Sequence, residues 1–140
     1  MKLRIRGNSV RLRLGQSEVR RLAEIGVVEE STQFDDSGDQ SLLYAVKSAD
    51  GIAGASAGFQ GGKLLVLLPR DVVARWASSD EVAIAAVQSI GENASLKILV
   101  EKDFECIEAP ADEPQDDAFR RPQDNPVTCA LGSGTVHGAN

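Results

Sequence analysis

Two stretches of this chain, "GNSVRLRLGQSEVRRLAEIGVVEES" and "GGKLLVLLPRDVVARWASSDEVAIA", align without a gap at a constant shift of 54 residues. Leu12 meets Val66, Leu14 meets Leu68, Ser17 meets Asp71, Val19 meets Val73, Leu22 meets Trp76 and Val28 meets Val82. In each copy a turn leads into alternating apolar residues, then into apolar residues at helical spacing, then into a returning strand. A unit of this length repeated only twice does not suit the common solenoids. The expected product is an α+β, mostly β fold: a small, partly open barrel of seven or eight strands with two short helices and a pseudo-two-fold internal repeat. The repeat units run over about residues 7–31 and 61–85.

The opening fourteen residues carry the most regular pattern. Lys2, Arg4 and Arg6 alternate with Leu3 and Ile5; Arg11 and Arg13 alternate with Val10, Leu12 and Leu14. Gly7-Asn8 between them is a turn signal, so the stretch reads as a hairpin, apolar on one face and cationic on the other. Gln16–Ile25 fits a short amphipathic helix with Ser17 as a possible N-cap and Gly26 just past its end. Val27–Phe34 reads as a strand and Asp35–Gln40 as a turn. Leu42–Lys47 and Ile52–Phe59 flank Asp50-Gly51 in the manner of a hairpin. In "IAGASAGF" nearly every side chain is small, which points to close approach of a neighbouring element, with a binding groove as the alternative. After Gly61-Gly62, "KLLVLL" has the composition of a fully buried strand. Pro69 suits a helix start, and Trp76 on that helix is expected in the core. Glu81–Val87 and Leu96–Ile107 complete the strands. Residues 1–109 form one globular domain in this reading; residues 110–140, rich in Pro, Gly and acid, are expected to be a disordered tail. Within it "DDAFRRPQDNP" is either a solubilising run or a docking motif that orders on binding.

Charge is unevenly placed. The whole chain is −6, yet residues 1–26 carry seven cations against Glu18 and Glu24. In "LVEKDFECIE" the acids Glu101, Asp103 and Glu105 occupy alternate positions and share one strand face. Lys2, Arg4 and Arg6 do the same in the first strand, and two strands with opposite one-sided charge are natural neighbours, because opposed pairs contribute about 0.2–1 kcal/mol each and like charges repel. The candidate site is therefore a charged ladder of Lys2, Arg4, Arg6, Arg11 and Arg13 with Glu101, Asp103 and Glu105. The competing readings are a cationic surface for nucleic acid, and an inward arginine cluster holding phosphate with a carboxylate-bound cation.

The blocks "MKLRIRGNSVRLRLGQSEV", "LLVLLPRDVVARWASSDEV" and "LKILVEKDFECI" resemble a family of small uncharacterised bacterial proteins, a domain of unknown function. That resemblance covers roughly residues 1–107, implies a bacterial cytosolic origin and brings no activity with it. The unit "GNSVRLRL" plus helix is also similar to the swapped-hairpin antitoxins of the MazE and AbrB kind, which dimerise and bind DNA through basic hairpin residues. Gly15 stands where that pattern has proline, whereas Pro69 holds the matching place in the second copy.

Other chemistries lack their residues. "GFQGGK" has neither the P-loop spacing nor the hydroxyl residue after its lysine. The lone histidine, His137, sits near the end and gives no hydrolytic triad. Cys106 and Cys129 read as reduced thiols, Cys106 on the apolar side of its strand, and no structural zinc set exists. No run approaches the ~20 apolar residues of a membrane helix. The expectation is a non-enzymatic cytoplasmic binding or interaction module with no cofactor and no membrane, whose partner is another protein or a second copy of itself. A DNA-binding regulator using the arginine hairpin is the alternative, and a phosphate- or metal-dependent enzyme the third reading.

Overall fold

The computed structural model describes residues 1–104 and 117–120. Its elements are β1 (Lys2–Ile5), β2 (Ser9–Leu14), α1 (Gln16–Glu24), β3 (Val27–Gln33), β4 (Ser41–Ala49), β5 (Ser56–Gln60), β6 (Lys63–Pro69), α2 (Arg70–Ala77), β7 (Ala83–Ile90) and β8 (Ala94–Lys102). The fold is α+β and mostly β. One four-stranded sheet has the order β1-β2-β8-β7 and the other β3-β4-β6-β5.

The two central pairs, β2 with β8 and β4 with β6, run parallel, and every flanking pair is antiparallel. Hairpins make only antiparallel pairs. The parallel seam in each sheet therefore joins a hairpin from the first half of the chain to a hairpin from the second. The strand after α1 does not return beside β2; it crosses to the other sheet and pairs with β4.

Local chemistry explains the hairpins. Gly7 adopts φ +52° at the first central position of the β1–β2 turn, as a type II′ turn requires. Arg6 and Ser9 close that turn with reciprocal 3.1 Å hydrogen bonds. Gly61 and Gly62 both have positive φ between β5 and β6, the type I′ pattern. Asp35 holds the β3–β4 turn by accepting from the Gln40 amide at 3.1 Å and the Ser37 hydroxyl at 2.8 Å. Those bonds stabilise its charged form and lower its pKa.

A single apolar cluster fills the space between the sheets. Leu12, Leu14, Ile98 and Val100 come from one sheet, Val28, Val46, Val66 and Leu68 from the other, and Val19, Leu22, Val73 and Trp76 from the helices. Trp76 is fully buried, and its Nε1 donates to the Val82 carbonyl at 3.2 Å. Each such aliphatic side chain contributes roughly 1.5–3 kcal/mol through burial.

Four local expectations need correction. Asp50-Gly51 does not close a hairpin: β4 and β5 are not neighbours, and the turn instead links the two halves. β6 is not buried on both faces, because Leu65 and Leu67 point outward and are only half-buried. The glycines of "IAGASAGF" are not explained by close approach, since a Cβ on Gly54 or Gly58 would meet nothing within 4 Å; the neighbour that does come close, β7, meets the strand at Ala57. Finally, Gly15 and not Ser17 is the N-cap of α1. Glu18 reaches back to accept from the Gly15 amide at 3.0 Å, half of a capping box. Glu105, Cys106, Cys129 and His137 lie outside the described residues, as does most of the stretch expected as a tail.

Candidate interaction face

The strand registers place the basic residues of the opening hairpin on one surface. With Leu12 and Leu14 turned into the core, the odd-numbered residues of β2 face outward, and the register carries that face across the sheet. Three rows result. Lys2, Arg13, Glu101 and Ala83 form the first; Arg4, Arg11, Leu99 and Ala85 the second. Ser9, Lys97 and Val87 continue into a third, which Arg6 joins at the turn.

Glu101 is the electrostatic centre of this face. Only 8% exposed, it accepts from Arg13 Nε at 2.6 Å and from Arg11 Nη2 at 3.4 Å. Arg11 Nε also lies 2.8 Å from Glu101 Oε1, but its N–H is misdirected and makes no hydrogen bond. One carboxylate thus serves two guanidinium groups. Lys2 Nζ reaches Asp103 at 3.1 Å, across the width of β2. The expected neighbour relation is therefore displaced by one strand. β2, not β1, lies against the acidic strand, so Arg11 and Arg13 form the ladder with Glu101, and Arg4 faces Arg11, a like charge.

Among the described residues, Arg4, Arg6 and Lys97 have no carboxylate within ion-pair distance. Between the second and third rows runs a groove of about 550 Å³, whose lining includes Ser9, Arg11, Ala85, Val87, Lys97 and Leu99. Of these, Val87 is 69% exposed. The groove therefore combines apolar Leu99, Ala85 and Val87 with the cations Arg11 and Lys97.

Two further sites escaped the sequence reading. The Met1 α-ammonium sits between Glu18 at 2.7 Å and Glu30 at 2.9 Å, and Tyr44 donates to the other oxygen of Glu30 at 2.9 Å. Burial alone would lower the pKa of this amine, but bonds to both carboxylates and their charge outweigh it and hold it above 8.0. Lys102 lies in the apolar row with Ile98 and Val100, 6% exposed. Its Nζ donates to the Ser79 carbonyl at 2.6 Å and stands 5.8 Å from the Trp76 ring and 5.4 Å from the Phe119 ring. Burial lowers its pKa, with Asp80 and Glu81 opposing. The alternation of "LKILVEK" marks Lys102 as inward; only its charge hid it.

Among the described residues, no group of three or more His, Cys, Asp or Glu side chains is placed to hold a metal ion. No described helix is long and apolar enough to cross a membrane. The chain belongs to a family of unknown function, DUF7009, whose model matches residues 1–123. No curated protein and no solved structure matches it.

Proposed function

We propose that this chain, from a family without an assigned activity, is a non-enzymatic binding module whose working surface is the outward face of the sheet β1-β2-β8-β7. Its partner is an acidic protein segment in extended form. The observation that carries this reading is the groove itself: apolar Leu99, Ala85 and Val87 share its lining with the cations Arg11 and Lys97, and Arg4 lies in the row of Arg11. An extended peptide alternates its side chains at the same period as the sheet rows, so acids and apolar groups fall on opposite sides of its backbone. A nucleic-acid backbone has no use for the apolar lining. The DNA reading draws on Arg4 and Arg6, but Glu101 has already taken up Arg11 and Arg13.

The same reading includes the architecture. We infer an internally duplicated unit, β1-β2-α1-β3-β4 and β5-β6-α2-β7-β8, forming a partly open barrel of the swapped-hairpin kind seen in MazE and AbrB antitoxins. Supporting it, the two sheets share one core and are stapled along both open margins. Gln88 of β7 exchanges hydrogen bonds with both backbone groups of Ala57 in β5, at 2.7 and 3.0 Å. Along the other margin the Met1 ammonium, beside β1, holds Glu30 of β3. A bacterial, cytoplasmic setting accords with the family resemblance of the three sequence blocks.

The test is a fluorescence titration at low salt with three probes: an alternating Glu-Val peptide, polyglutamate and random duplex DNA. The alternating peptide should bind best, and Arg4→Glu with Lys97→Glu should weaken it at least tenfold. Tightest binding to the duplex would replace this reading with the DNA one, and binding to none of the three would sink both.

A further inference from the structure

The first helix begins in an unusual way. Its N-cap, Gly15, has no side chain with which to cap, and the missing carboxylate arrives from 100 residues downstream. Asp117 accepts from the Ser17 amide at 3.0 Å and from the Ser17 hydroxyl at 2.7 Å. Its backbone carbonyl accepts from the Gln16 amide at 2.8 Å, and the Gln16 side chain donates to the Ala118 carbonyl at 2.8 Å. Ala118 is 8% exposed. Phe119 donates its amide to the Asp103 carbonyl at 2.6 Å, and its ring lies against Phe104, 5.8 Å between centroids, and near Lys102. The carboxylate, two successive carbonyls, one amide, a small side chain and an aromatic ring are all read.

Gly15 shows that the notch is shaped for this segment. Its φ of −72° is open to any residue, so backbone conformation does not demand glycine. Room does. A Cβ at position 15 would run into the Asp117 carboxylate and stand 2.9 Å from its backbone carbonyl. The counterpart in the second unit is Pro69, where among the described residues no such segment docks. Glycine is present where the segment sits and absent from the equivalent place.

We propose that this notch is a peptide-recognition site for an Asp-small-Phe segment, filled here by Asp117-Ala118-Phe119 of the same chain, and that a second copy of the chain can fill it in trans. The argument for this occupant is that seat and segment are complementary within one sequence and joined by a link of twelve residues, from 105 to 116. Two copies can therefore exchange segments with the same contacts formed on each side, the low-cost route to a dimer. Within one chain the link supplies a high effective concentration, so exchange is favoured only where protein is concentrated or the internal contact is disabled.

Complementation tests it on the full chain. Gly15→Ala closes the seat while keeping the segment and the Glu18 bond to the residue 15 amide. Asp117→Ala with Phe119→Ala removes the segment while keeping the seat. Each variant alone should run as a single chain by light scattering, and the equimolar mixture at high concentration should contain a two-chain species. Near-UV circular dichroism of Trp76 verifies that both variants are folded, and Phe119→Ala alone replaces the double variant if that one is not. A mixture of folded chains that stays at single-chain mass overturns the proposal.

Discussion

The two sheets have the same strand directions, and their central strands β2 and β6 present different chemistry outward. On β2, Arg11 and Arg13 point outward; on β6, at the positions 54 residues later, stand Leu65 and Leu67. The neighbour of Arg13 is Glu101, whereas the neighbour of Leu67 is Lys47, again 54 residues apart. The inward residues of the same two strands show no such divergence: Leu12 and Leu14 answer to Val66 and Leu68, all fully buried. What differs lies on the surface that packing leaves unconstrained. At the centre of the core only volume-filling apolar groups fit, so both central strands carry them; toward its edge Lys102 and Ser48 are buried as well. The outer faces are not so constrained: one sets Arg11 and Arg13 around Glu101, and the other sets Leu65 and Leu67 beside Ala45 and Lys47.

The strongest way to break this comparison is to test its equal half. Leu14→Ala and Leu68→Ala remove the same side chain from equivalent, fully buried sites. Each should cost about 2–5 kcal/mol by urea denaturation. A loss confined to one unit would mean that the two sheets do not share one core.

The unequal half comes next. Glu101→Gln leaves Arg11 and Arg13 side by side without a counter-charge in a half-buried row, and should cost about 2–3 kcal/mol. Leu67→Arg, which introduces a cation beside exposed Lys47 on the other sheet, should cost less than about 1 kcal/mol. Equal costs would show that the carboxylate does not organise its face.

A smaller effect belongs to the helix starts. Asp117→Ala removes the borrowed cap of α1 and should cost about 1 kcal/mol, read from thermal unfolding. Asp71, in the first turn of α2, makes only the weaker electrostatic interaction with the helix dipole. Asp71→Ala should therefore cost about 0.3–1 kcal/mol.

The smallest effect is alkaline. The Met1 ammonium has a raised pKa, so its contribution is complete below 8.0 and is lost as pH climbs through the folded-state value. Lys102 has a lowered pKa and acts in the opposite sense: its burial cost is relieved as pH rises toward 10.5. Glu18→Gln with Glu30→Gln should reverse the first slope, since burial alone lowers that pKa, and Lys102→Met should abolish the second, in unfolding curves taken from pH 8.0 upward. Unchanged slopes would show that neither amine senses folding.

Strands and helices were legible because the apolar periods of "VRLRL" and "KLLVLL" are strict and the Gly-Asn and Gly-Gly turns are unambiguous. Sheet order was not. Charge complementarity located the acidic strand beside the basic hairpin but matched it to β1, where β2 is the neighbour, because both strands present cations at period two. The register that makes Arg11 and Arg13 share Glu101 depends on a parallel pairing across 88 residues, which no local pattern encodes. Lys102 and Asp117 were hidden for a related reason. A lysine in an apolar row and an aspartate in a Pro-rich acidic run both look solvated until a distant partner is known.

The account separates cations consumed by the fold from cations left for a ligand. Paired unfolding measurements on Arg13→Glu and Arg4→Glu probe that division most directly. Reversal at Arg13 should cost about 3 kcal/mol, because it sets two carboxylates together in a half-buried row. Reversal at Arg4 should leave stability unchanged or raise it slightly, since it replaces a like-charge pair with Arg11 by an opposite one. Comparable losses at both positions would contradict the division and place Arg4 within the structural ladder.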